Sequence, residues 1–235
     1  METILAEECL TRSFLTKTLI PLENDEVFLA FLAARKKYCP TLSHSYEIIS
    51  RLVIRESNVE EILKKLRRMA LVGDYTDLGQ PIPTNSFALY IDLNPKSTLR
   101  AIRLFKHEVD AQLYTAIVSR VPDYNYFKKV DVKLFSALHR SDAPRHPFWC
   151  IDMDQKDLSI LHDTLNFVEK ENVAWISETH GGYHLIIKRN EATGKKLFGK
   201  GLPKNLKGKA EVKKEATTPV PGTLQGGLLV KPVEY

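Results

Sequence analysis

The alternation of apolar and polar positions is clearest in the second half of the chain. Trp149-Cys150-Ile151-Asp152-Met153-Asp154 predicts a strand with Ile151 and Met153 in a core and both aspartates on the other face, about 6.6 Å apart. Residues 155–170 carry Leu158, Leu161, Leu165 and Val168 at helical spacing, so a helix with one buried stripe follows the aspartate strand. Residues 173–176 and 183–187 are β-type runs separated by Gly181-Gly182, a two-residue hairpin signal. With those glycines as the loop, Thr179 faces His184 and Ser177 faces Ile186. Ser177, Thr179 and His184 then share one side of the ribbon, and His180 and Tyr183 the other. A right-handed crossover lays the aspartate strand in the same sheet.

The first third reads as helical. Residues 2–37 hold Phe28, Leu29, Phe31 and Leu32 as apolar anchors and end at Pro40. Residues 46–54 and 59–71 predict two further helices, the second capped by Asn58. After a turn-rich link, residues 87–91 predict a strand, and Ser97 caps a long helix over 98–119. Its buried side draws on Leu99, Ile102, Leu104, Phe105, Val109, Leu113 and Ile117. Residues 1–80 are thus a helical region packed on a core formed by 81–235.

Charge adds a polyanion theme. The formal net charge is +5, but residues 188–215 hold ten Lys or Arg against three Glu, interleaved with glycines. This reads as a flexible basic loop, in which Lys195, Lys196, Lys200 and Lys204 meet a nucleic-acid backbone. Lys96 and Arg100, around the start of the long helix, are a second candidate contact. Between residues 124 and 146 aromatic and basic residues interleave, a pattern that stacks bases and holds phosphates. Cys9, Cys39 and Cys150 have no paired spacing, so no structural zinc is expected and a reducing compartment is. No apolar run reaches membrane-spanning length, which predicts a cytoplasmic or nuclear protein without a membrane partner. Phosphate loops of the Gly-x-x-x-x-Gly-Lys type and Gly-x-Ser-x-Gly elbows are absent.

The Asp152/Asp154 pair, Ser177, Gly181-Gly182 and His184 together resemble the catalytic core of the archaeo-eukaryotic primase and primase-polymerase superfamily. Pro221-Gly222-Thr223-Leu224-Gln225-Gly226-Gly227 is similar to the Pro-Gly turn that closes many of those cores. The resemblance spans roughly residues 145–235. It implies an α+β fold with an RNA-recognition-like, mixed or antiparallel sheet, and a nucleotidyltransferase working on a template from nucleoside triphosphates. In that reading Asp152, Asp154 and a third carboxylate, Glu211 or Glu215, hold Mg²⁺ or Mn²⁺. Asp152, Asp154 and His184 are catalytic, while Ser177, His184, Lys188 and Arg189 contact the triphosphate. Single-stranded or primed nucleic acid is the implied partner, with a helicase or other replication proteins beside it. The rivals are an inactive nucleic-acid-binding subunit of the same fold and a metal-dependent nuclease.

Overall fold

The computed structural model describes residues 2–120, 123–143 and 145–234. Helix α1 (Glu8–Thr18) precedes strands β1 (Glu26–Arg35) and β2 (Tyr46–Ile54), helix α2 (Val59–Met69) and strand β3 (Phe87–Ser97). Helices α3 (Thr98–Ser119), α4 (Tyr124–Lys128) and α5 (Val130–His139) come next. Strand β4 (Phe148–Met153), helix α6 (Leu158–Val168) and strands β5 (Val173–Glu178) and β6 (Tyr183–Lys188) follow. Short strands β7 (Ala210–Lys213), β8 (Thr217–Pro219) and β9 (Lys231–Pro232) complete the two main sheets. The fold is α+β. One sheet runs β8-β3-β1-β2 and the other β7-β4-β6-β5-β9, every neighbouring pair antiparallel.

The second sheet follows the alternation in its sequence. Strands β4 and β5 run parallel to each other with β6 inserted between them, the outcome of a helical crossover whose return strand folds back inside. Ile160, Leu161, Leu165 and Val168 of α6 cover one face, against Ile151, Met153, Ile176 and Leu185. Leu158 stays exposed. The opposite face contributes Cys150, Trp175 and Ile186 to the main core, where they join Phe14, Phe28 and Leu63 from the N-terminal third.

The N-terminal third departs from the helical expectation. Residues 26–35 and 46–54 are strands, and only α1 and α2 are helices of any length there. Phe28 to Ala34 is an almost unbroken apolar run because β1 is central in its sheet and buried nearly throughout, which removes the two-residue period. Nor does the chain divide at residue 80. Strand β3 pairs along β1 from Glu26↔Ser97 to Ala34↔Phe87, so one sheet holds residues from both sides of that boundary.

Two polar devices tie the elements together, one joining the sheets and the other fixing α1. The Asn94 side chain behaves like an extra peptide unit: its amide donates to the Phe148 and Lys214 carbonyls (3.0 and 3.1 Å) and its oxygen accepts from Phe148 N–H (3.1 Å). The Pro221-Gly222 turn anchors α1, with Ala6 and Glu7 N–H both donating to the Gly222 carbonyl at 2.9 Å. Gly222 has φ +88, and a Cβ there would lie 2.2 Å from the Glu7 carbonyl oxygen, so no other residue fits. Helix α3 buries only Ala101, and most of its expected apolar stripe is exposed, Ile102 and Ile117 included. No helix among the described residues is long and apolar enough to cross a membrane.

Candidate functional site

Asp152 lies opposite His184 on one neighbouring strand and opposite Glu211 on the other, so the three side chains share a face. His184 in turn lies opposite Ser177. This register is two residues from the one expected. Thr179 N–H donates to the Gly182 carbonyl at 2.8 Å, which tightens the loop to His180 and Gly181. A shift of two preserves the face, and Ser177 still sits beside His184. Gly182 is required by close approach, since a Cβ would meet the Met153 carbonyl oxygen at 1.9 Å.

Asp152 is the electrostatic centre. Its Oδ1 accepts from His184 Nε2 at 2.9 Å, and its Oδ2 from Lys213 Nζ at 2.5 Å. Burial would raise its pKa, but the hydrogen bonds and charges of His184 and Lys213 outweigh that and hold it well below the usual carboxylate range. For His184, burial pulls the other way. The Cys150 sulfur, 3.8 Å from Nδ1, and the Asp152 carboxylate win, and the imidazole is raised to about 9. Lys213 also reaches Glu211 at 3.6 Å, so carboxylates on neighbouring strands converge on one ammonium.

These groups line a cleft of about 320 Å³, within the size range of small-molecule sites. One wall carries Asp152, Asp154, His184 and Lys213. The other comes from the first sheet, with Phe31, Arg35, Tyr46 and Tyr90, and Lys37 just beyond the end of β1. Lys37 is exposed overall, with its ammonium beside Gly181 of the cleft. Burial lowers its pKa and the Arg35 charge adds to this, while Asp154 and Asp152 partly offset both. Arg35 donates to the Tyr90 hydroxyl at 2.8 Å, and Gln225 of the Pro-Gly turn accepts from His180 N–H at 3.0 Å.

Asp152, Asp154 and His184 are thus brought together, and other expected site residues are not. Ser177 is fully buried, and its hydroxyl accepts from the Trp175 indole at 2.9 Å, away from the cleft. Lys188 ends β6, roughly 13 Å along the strand from His184, and Arg189 lies just beyond it. Arg189 instead covers the Trp149 ring. Lys96 has no exposed surface and is closed to a polynucleotide. Arg100 is accessible, in a surface groove with Arg103, Arg140 and His146.

The basic segment is not a solvated loop. A helical turn (Glu191–Gly194), a wider one (Lys195–Lys200) and buried Leu197 and Leu206 pack it onto the second sheet's core. Lys195 pairs with Glu191 and Lys196 with Glu169, while Lys200 and Lys204 are exposed. Glu211 is 70% exposed and opposite Asp152, Glu215 is exposed, and neither belongs to the cleft lining.

Sequence reasoning missed Phe31, Arg35, Lys37 and Tyr90. The available signal was Arg35-Lys36-Lys37 directly after an apolar run, cations at the end of a buried strand. Among the described residues, no three His, Cys, Asp or Glu side chains form a metal-holding group. Comparison with known protein families, characterised proteins and solved structures returns no match.

Proposed function

We propose that this chain is a metal-dependent nucleotidyltransferase of the primase-polymerase type, extending or starting a polynucleotide from nucleoside triphosphates. The observation that carries the reading is the two-walled cleft. Asp152, Asp154 and His184 occupy one wall, and Arg35, Lys37 and aromatic rings the other.

Asp152, Asp154 and Glu211 are the residues that would hold Mg²⁺ or Mn²⁺. What supports two of them is that Asp152 and Glu211 already share one cation, the Lys213 ammonium. A divalent ion there would lower the pKa of an attacking hydroxyl and offset charge on departing pyrophosphate. The chain's own part is to bind and orient. Arg35 and Lys37 supply positive charge for the triphosphate. His184, already hydrogen-bonded to Asp152, keeps that carboxylate ionised and fixes its direction. Lys213, now paired with Asp152 and Glu211, would face phosphate if a divalent cation held those carboxylates instead.

One observation favours the inactive nucleic-acid-binding subunit: the Lys213 ammonium sits on Asp152 and neutralises it. The deciding experiment incubates the purified protein with labelled nucleoside triphosphates, single-stranded template and Mn²⁺ or Mg²⁺, with and without primer. Growth of product that Asp152→Ala abolishes supports the transferase. Shortening identifies a nuclease, and neither change identifies the binding subunit.

A further inference from the structure

Phe31, Ala33, Ala88 and Tyr90 form an apolar cluster of their own, apart from the main core. They are two cross-strand pairs of β1 and β3, Phe31↔Tyr90 and Ala33↔Ala88. Paired residues share a face, so the four side chains make one platform, and Phe31, Ala33 and Tyr90 line the cleft. The two rings stack, with centroids 5.2 Å apart and planes 19° from parallel.

Tyr90 is pinned. Its hydroxyl takes hydrogen bonds from Arg35 at 2.8 Å and Gln225 at 3.4 Å, and the Arg35 guanidinium lies 5.8 Å from its ring centre. Phe31 is partly exposed, and Ala33 projects nothing beyond a methyl group, so the cleft stays open above the sheet. The cleft therefore sets an aromatic and apolar platform, with Arg35 and Lys37 at its end, across from Asp152, Asp154, His184 and Lys213. Simple polyphosphates would use only half of it. A ligand with a flat ring at one end and a polyanion at the other would use both.

We propose that the Phe31–Tyr90 platform is the seat of a nucleobase, its ring stacked on Phe31 while the attached phosphates face Lys37, Arg35 and Lys213. This rests on the nucleotide-handling reading above and names the part of the ligand that reading leaves unassigned. The base can belong to a free nucleoside triphosphate or to a single strand, and the two sources are separable.

The test titrates the full chain with ATP, inorganic tripolyphosphate and a single-stranded oligonucleotide, for wild type, Phe31→Leu and Phe31→Tyr. Stacking on one aromatic side chain is worth about 1–3 kcal/mol, so Phe31→Leu should weaken ATP about ten-fold or more. Tripolyphosphate should bind as in wild type, and Phe31→Tyr should restore ATP affinity. Loss confined to the oligonucleotide also supports the seat, and makes a strand its source. Equal losses for ATP and tripolyphosphate, or no loss for ATP and the oligonucleotide, overturn it. A wild-type protein that binds ATP through Phe31 yet never extends a primer keeps the seat and sinks the transferase reading alone. If neither ATP nor the oligonucleotide binds wild type, both fall.

Discussion

A lysine ammonium without exposed surface has to be matched by carboxylates, because an unpaired charge taken out of water costs several kcal/mol. Lys96 is in that position, paired with Asp92 at 3.0 Å and Asp142 at 2.5 Å. Burial pulls its pKa down, the two carboxylates outweigh it, and the net direction is upward. Asp92 and Asn94 are therefore structural: one neutralises Lys96, the other joins the sheets. Asp92→Ala should cost about 3–5 kcal/mol in urea unfolding, because it leaves Lys96 half-compensated. Exposed Asp154 has no comparable partner among the described residues, so Asp154→Ala should stay within about 0.5 kcal/mol. If the two variants unfold alike, the buried ion pair is not what holds this strand.

Helices of similar apolar content do different work here. Helix α2 buries Ile62, Leu63 and Leu66 in the main core, and Asn58 caps it by accepting from Glu60 and Glu61 N–H at 2.9 and 3.2 Å. Leu63→Ala should lose about 2–5 kcal/mol by emptying a packed site. Leu113→Ala, on the open side of α3 at 46% exposure, should change unfolding by less than about 0.5 kcal/mol. A large loss at Leu113 would mean that α3 is covered in solution. Periodicity could rank neither helix, since a stripe of leucines does not say whether anything packs on it. The same limit explains the strands. Around Asp152 the sheet is two-sided and its alternation legible, so Asp152, Asp154 and His184 could be found. Strand β1 is buried on both faces and carries no period. For β2, only the β-branched Ile48, Ile49, Val53 and Ile54 argued against a helix. Once these strands were read as helices, the wall bearing Phe31, Arg35 and Lys37 disappeared with them.

At the scale of the whole molecule, acid and salt should reveal different joints. Glu26, almost fully buried, accepts from Arg145 Nε at 2.9 and 3.1 Å, linking β1 to the segment that enters β4. That hydrogen bond is the main reason its pKa is lowered, with burial opposing. A lowered folded pKa stabilises fully above the unfolded value of 4.5, and the contribution fades as pH falls through the folded one. Glu26→Gln should therefore cost about 1–2 kcal/mol near pH 7 and converge on wild type only as pH falls well below 4.5. Curves that stay parallel down to acid would assign the loss to packing instead. Salt addresses the polynucleotide. Two surface grooves meet at His146, one lined by Arg100 and Arg103, the other by Arg189 and Lys195, and His139 brings the cleft itself near the first. If a single strand follows that line, each phosphate neutralised contributes roughly 0.7 to the slope of log affinity against log salt. Replacing Arg100, Arg103 and Arg189 together with Gln should then flatten the slope by about two units. Lys200→Gln with Lys204→Gln should move it less, because those lysines border neither groove. The reverse result would return the strand to the basic segment and leave the grooves as solvated surface.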